Sequence, residues 1–372
     1  MSFAGILDQL PLANSPLLRK FERLLAPENG ARFEAMAREA RELTRQNFGR
    51  TMRMFAPLYL SNECINNCRY CGFSRDNPIL RVTLSVEQVL AEARHLAAQG
   101  FRQVLLVAGE HPKFVRQDYL ADCIRALAPL FSSIALELGP METDDYLPLV
   151  DAGADGLVVY QETYSREIYR EMHTSGPKRD FGWRLDCPER AYAAGFRRIG
   201  IGALFGLAPS REEAIALAAH LEYLQKHCWQ SELTVSLPRL RPAAGEFVPR
   251  FSLGDRELAL LVCAFRICFP RVGIVLSTRE SGEVRDALAS LGVTVMSSGS
   301  HTEPGGYTGQ GKAELHQTIR GRAISPNEPG AALATSQFEI SDARSPAEIA
   351  ESLRARGFEP VWKDWDQALV RR

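Results

Sequence analysis

Between residues 56 and 298, short apolar runs alternate eight times with amphipathic stretches. The runs are 56–62, 103–109, 133–139, 156–162, 198–204, 233–237, 273–278 and 294–298. Several are continuous in Val, Ile and Leu, as parallel strands buried on both faces should be. The stretches between them carry helix signals. Ser85-x-x-Gln88 and Ser210-x-x-Glu213 read as capping boxes. Gly100, Gly153, Gly195 and Gly292 stand where a helix would close before the next run. Eight such units predict an α/β chain folded as a (β/α)8 barrel of the TIM type. A doubly wound open sheet suits five or six strands better.

The flanks follow different patterns. Residues 1–54 are polar to amphipathic, and Phe33, Met36, Ala40, Leu43 and Phe48 recur near helical spacing. We expect a helical extension over 1–54, the barrel over 55–304, and a C-terminal loop, helix and tail packing on the barrel over 305–372. Residues 305–345 are rich in Gly, Pro, Ser and Ala and read as a long surface loop, with 308–340 unusually extended. Ser345-Pro-Ala-Glu348 predicts a capped helix start with proline at its first position, and the helix should end near Arg356. Trp362 and Trp365 imply that the tail packs.

Composition excludes some partners. The 372 residues carry a net charge of −1, so no bulk field favours nucleic acid or a membrane surface. No apolar run reaches the roughly 18 residues of a membrane span. The N-terminus lacks a basic start and a small-residue cleavage site, which favours the cytoplasm. Cys123, Cys187, Cys228, Cys263 and Cys268 are scattered in apolar surroundings and read as reduced, buried small hydrophobes. Cys263 and Cys268, five apart, should lie on different faces of a helix.

The other three cysteines, Cys64, Cys68 and Cys71, form the run C-x3-C-x2-C with no fourth nearby. A structural zinc site wants four closed ligands, and a typical electron-transfer cluster wants four thiolates. Three thiolates on one loop suit a [4Fe–4S] cluster with one iron left open for chemistry. The loop follows the first run, which in a parallel barrel puts it at the C-terminal mouth, where active sites sit.

This order, with Tyr70 before the last cysteine, resembles the radical S-adenosylmethionine (SAM) superfamily. The resemblance implies that the open iron is chelated by SAM and that one electron from the cluster breaks the sulfonium C–S bond to give a 5′-deoxyadenosyl radical. It also implies roles for other residues. Ala108-Gly109-Glu110 is similar to the segment that holds the SAM ammonium. Glu162, in Tyr160-Gln-Glu-Thr-Tyr164, is placed to bind the ribose. Arg184 is placed like the arginine that pairs with the SAM carboxylate, and Ile201 where an apolar residue packs on adenine.

The likeness goes further. Leu58-Tyr-Leu-Ser-Asn62, Cys71-Gly-Phe-Ser74, Leu105-Leu-Val-Ala-Gly-Glu-His111, Phe181-Gly-Trp-Arg-Leu185, Val235-Ser-Leu-Pro-Arg-Leu-Arg-Pro242, Leu276-Ser-Thr-Arg-Glu-Ser281, Pro304-Gly-Gly-Tyr307 and Pro360-Val-Trp-Lys-Asp-Trp-Asp366 resemble the 2-iminoacetate synthase family, the tyrosine lyases of thiazole (thiamine) biosynthesis. The family implies Cα–Cβ cleavage of L-tyrosine to 2-iminoacetate and p-cresol, an external electron donor, and thiazole synthase as partner. The substrate carboxylate then needs a cation. Arg279 is the candidate, since a guanidinium matches a carboxylate bidentately, and Ser297 or Ser300 would add a hydroxyl bond. Arg239 and Arg241 could also face the mouth, and His111 and Tyr307 are conceivable proton acceptors. Two alternatives stand beside this reading. One is the lyase of [FeFe]-hydrogenase maturation, whose second cluster would find no cysteine after Cys268. The other is a non-catalytic iron–sulfur protein.

Overall fold

Eight parallel strands close on themselves in the computed structural model, which describes residues 3–6, 15–26, 30–245, 247–320, 322–324 and 333–362. They are β1 (Thr51–Ser61), β2 (Gln103–Ala108), β3 (Ser133–Glu137), β4 (Gly156–Glu162), β5 (Arg198–Ala203), β6 (Glu232–Ser236), β7 (Gly273–Leu276) and β8 (Val295–Ser297). Each pairs with the next, and β8 returns to β1 from Arg53↔Val295 to Phe55↔Ser297. Every expected run is a barrel strand. β1 starts at Thr51, ahead of residue 56, because its lower half has partners on both sides. β8 takes one edge, and β9 (Glu359–Val361) takes the other below the point where β2 joins at Ala56. The Trp362 ring meets Phe101 edge-on at 4.9 Å. Trp365 lies outside the described residues.

Strand alternation sorts the side chains into two sets. On β3, Ala135 and Glu137 line the bore, while Ile134 and Leu136 are fully buried against the helices. The helical ring includes Val86–Ala98, Gln117–Leu127, Thr143–Ala152, Ser210–His227, Asp255–Cys268, Gly282–Ala289 and Pro346–Ala355, and β4 is followed by three short helices, Arg166–Met172, Phe181–Leu185 and Cys187–Ala193. No helix among the described residues is long and apolar enough to cross a membrane.

Two of the three expected caps form. Ser85 with Gln88 and Ser345 with Glu348 make capping boxes, the latter with Pro346 in the first turn. Ser210 does not cap its helix. Glu213 turns inward and accepts from Thr163 Oγ1 (2.8 Å) and the Tyr164 amide (2.9 Å). A buried amide with no strand partner outcompetes the local cap.

Helices Pro16–Leu24 and Gly30–Phe48 precede the barrel. They cover the outer face of Asp255–Cys268, with Phe21 edge-on to Phe265 at 4.8 Å. That cover explains why Cys263 and Cys268 are both buried although they sit on different faces. All five scattered cysteines are free and buried.

The stretch expected as a surface loop is partly sheet. His316–Ile319 and Arg322–Ile324 form a hairpin that adds antiparallel to the short strand Ile79–Arg81. The edge it satisfies belongs to the segment leaving the cysteine loop, a partner over 230 residues away that no local pattern could reveal.

Candidate active site

The cysteine loop leaves the top of β1 and is clamped at both ends by one buried arginine. Arg81 donates from Nη1 to the Asn62 carbonyl (2.5 Å) and the Phe73 carbonyl (3.1 Å), and from Nη2 to the Ser74 carbonyl (2.8 Å). Its Nε reaches Thr318 Oγ1 of the added hairpin at 2.6 Å. Beneath the loop lies Gly109, where a Cβ would stand 2.2 Å from the Glu63 carbonyl oxygen. Only a glycine permits that approach. Glu110 accepts from Asn66 Nδ2 at 2.6 Å, which ties the end of β2 to the loop.

The three thiols face one another closely enough to interact electrostatically. Burial pushes the Cys68 and Cys71 thiols up, with Lys178 opposing. They become thiolates only with a strong cation at hand, as a bound iron provides. Among the described residues no three His, Cys, Asp or Glu side chains are grouped to hold a single metal ion. A donor set of three thiols, each free for a different metal, fits a cluster instead.

Around the loop stand the residues expected to hold SAM. Tyr70 donates its hydroxyl to His173 Nε2 at 2.8 Å, because His173 Nδ1 is committed as donor to the Tyr169 carbonyl at 2.7 Å. Burial, then Lys178, holds the His173 imidazolium down to about 3, so the ring is neutral and that direction is fixed. Glu162 ends β4 at a bulge with φ 71°. This left-handed backbone is costly for a bulky residue. It brings the carboxylate to Lys178 Nζ at 2.6 Å and Arg184 Nη2 at 3.6 Å. Burial alone would raise the Glu162 carboxyl, but Lys178 and Arg184 outweigh it and hold it below its usual range. Arg184 is itself fixed by donation from Nε to the Tyr160 carbonyl at 2.7 Å. Ile201 is not brought into this group. Its neighbour Gly200 lines the bore, so Ile201 faces the helices and joins the main core.

Below the loop the bore opens into a cavity of ≈ 670 Å³, walled by Phe55, Tyr59, Leu105, Tyr160, Val275 and Phe338 among others. Arg279, Ser297 and Ser300 all line it. Ser297 Oγ accepts from the Thr278 amide at 3.2 Å, whereas the buried Ser300 Oγ has no partner. A hydroxyl buried without a partner is costly and points to a ligand. Arg279 lies over the Phe338 ring at 3.3 Å. Arg239 is occupied elsewhere by Glu280 and Asp255, while Arg241 supports the Arg279 carbonyl. Tyr307 donates its hydroxyl to the Pro57 carbonyl at 2.7 Å, and His111 lies tilted against Phe114 outside the cavity lining.

Tyr59 joins the two regions. Its hydroxyl donates to Gln337 Oε1 at 2.7 Å, and Gln337 Nε2 stands 3.9 Å from Cys71 Sγ. A second cavity of ≈ 630 Å³ continues down the bore and shares Phe55, Leu105, Tyr160, Ser236 and Val275 with the first. The Arg53–Glu232 pair (2.5 Å) lies at its lower end.

Sequence reasoning missed Glu137, Lys178, Tyr59 and His173. Glu137 carried one signal, a carboxylate ending an apolar strand at the mouth of a barrel. Lys178 and His173 sit in a connection whose path back to the cysteine loop has no local signature.

Residues 58–220 match the Radical SAM superfamily, and residues 236–359 match the Biotin and Thiamin Synthesis associated domain. The chain is similar to the 2-iminoacetate synthases of Escherichia coli (strain K12) and Salmonella typhimurium. It is 41% identical to each over 94% of this chain and 87% of the relative. Among solved structures it is similar to the FeFe-hydrogenase maturase HydG from Carboxydothermus hydrogenoformans. There the TM-score is 0.82 and the identity 35%, over 96% of this chain and 79% of the other.

Proposed function

The chain belongs to the 2-iminoacetate synthase family of radical SAM enzymes, and we propose from that membership and from the site how its residues serve the reaction. The enzyme is a carbon–carbon lyase of thiamine biosynthesis. It cleaves L-tyrosine between Cα and Cβ to 2-iminoacetate and p-cresol. One observation carries the reading: Cys64 and Cys71 pack against Tyr59, Leu105 and Val107, which wall a cavity that presents Arg279, Ser297 and the partnerless Ser300.

Cys64, Cys68 and Cys71 would hold a [4Fe–4S] cluster, and Glu110, Glu162 and Arg184 would hold SAM beside it, with Tyr70 and Gly109 shaping the pocket. When bound, the pair supplies one-electron chemistry that ends in hydrogen-atom abstraction. The protein's own part is binding and exclusion. Arg279 would take the tyrosine carboxylate as a bidentate partner, and Ser300, with Ser297, would donate a hydroxyl bond to it. The aromatic and aliphatic wall of Phe55, Leu105, Val275 and Phe338 buries the phenol ring and keeps water away from a reactive centre. An external reductant must supply the electron. We further assign thiazole synthase as the protein that receives 2-iminoacetate, in the cytoplasm.

The test is anaerobic reconstitution with iron and sulfide, followed by SAM, reductant and L-tyrosine. We expect p-cresol and 5′-deoxyadenosine in comparable amounts. SAM cleavage without p-cresol would assign the site another substrate.

A further inference from the structure

The cavity carries two opposite charges without a polar partner, one of them resting on the face of the Phe338 ring. Glu137 ends β3 and Arg279 follows β7, and both line the same ≈ 670 Å³ space. Among the described residues neither side chain has a hydrogen-bond or ion-pair partner. The other charged groups nearby are spoken for. Glu280 also lines the cavity but is held by Arg239, Glu162 is held by Lys178 and Arg184, and Glu303 faces His301. A carboxylate left half-buried among Tyr59, Leu105, Val107 and Tyr160 pays a desolvation cost. That burial raises the Glu137 carboxyl to about 7, with Arg279 opposing it first, then Glu162 raising it and Arg184 and Lys178 lowering it. Tyr59 and Tyr160 are the remaining titratable groups that face it.

An unpaired anion and an unpaired cation across one small apolar cavity complement a zwitterion. We propose that Glu137 is the partner of the substrate's α-ammonium group while Arg279 takes its α-carboxylate, so that the cavity selects free α-amino acids. This deepens the lyase reading of the same site and rests on it. A site built around buried polar partners rejects analogues that lack either group, because the unmatched charge is then stranded. Glu137 also becomes a group that touches substrate at the nitrogen carried by Cα, one end of the bond that breaks.

The experiment uses the full chain, with cluster reconstituted and SAM bound, and three ligands. They are L-tyrosine, tyramine, which has the ammonium but no carboxylate, and 3-(4-hydroxyphenyl)propionate, which has the carboxylate but no ammonium. Binding is measured for wild type, Glu137→Gln and Arg279→Gln. We expect Glu137→Gln to weaken tyrosine and tyramine at least tenfold and to leave the propionate within twofold. Arg279→Gln should weaken tyrosine and the propionate at least tenfold and leave tyramine within twofold. Wild-type affinity for tyrosine should fall as pH drops through about 7, and Glu137→Gln should flatten that limb. Glu137→Asp, which keeps the charge, should recover part of the tyramine affinity. Tyramine affinity unchanged in Glu137→Gln, or loss of the propionate by the same factor, overturns the proposal. Failure of the lyase reading would look different: this binding pattern intact in a wild type that releases no p-cresol.

Discussion

Each of the three cysteines should be indispensable on its own. A cluster held by two thiolates has lost a third of its protein ligands. We therefore expect Cys64→Ala, Cys68→Ala and Cys71→Ala each to lose bound iron and the visible absorption of the cluster, with far-ultraviolet circular dichroism unchanged. Any variant that keeps full iron and turnover refutes the assignment. Lys178 acts at the same scale. Replacing it by Met leaves Glu162 buried with only Arg184 at 3.6 Å. Breaking a buried pair in this way costs about 3–5 kcal/mol, because the remaining charge is uncompensated. A second substitution, Glu162→Gln, should recover part of the lost stability in chemical denaturation. A double variant no more stable than Lys178→Met would show that the pair is not coupled.

Elements hold these residues in place. Arg81 links the entry of the cysteine loop, its exit and the hairpin Thr318 belongs to. Gly109 lets β2 pass under the loop. Arg81→Met and Gly109→Ala should both displace the loop while leaving the barrel folded. The expected outcome is iron content reduced severalfold with helix and strand content retained. Full cluster loading in both would mean that the loop is held by other contacts. Helix ends obey more local rules. The Ser345 cap satisfies the Glu348 amide and receives Glu348 in return. Ser345→Ala should cost about 1 kcal/mol, too little to affect the site.

At the scale of the whole molecule, stability against pH carries the mark of buried acids. Burial raises Glu213 to about 7, although its bonds to the Tyr164 amide and Thr163 oppose the shift. The folded state then binds more protons than the unfolded state between the ordinary carboxyl range and about 7. Stability contributed by this group is therefore lost as pH rises through that window. Glu213→Gln removes the penalty, so its melting temperature relative to wild type should climb from pH 4.5 to 7 and level off above. A constant difference across that range would mean that Glu213 does not titrate there.

What the sequence by itself determined is whatever repeats or lies contiguous along the chain. Alternating apolar runs specify parallel strands buried on both faces, and eight of them close a barrel. Three cysteines within eight residues gather three thiols on one loop wherever that loop is carried. That Arg279, Ser297 and Ser300 line one cavity was legible because the top ends of barrel strands point to one mouth. The tertiary structure decided what depends on meetings between distant segments. It paired Lys178 with Glu162 and set His173 against Tyr70. It turned Glu213 from a helix cap into a partner for the Tyr164 amide, and made a hairpin from a stretch composed like a loop. It also turned Ile201 toward the helices and left Glu137 facing Arg279 without a partner. Burial and the choice among competing hydrogen-bond partners are properties of the assembled fold, and no local pattern encodes them.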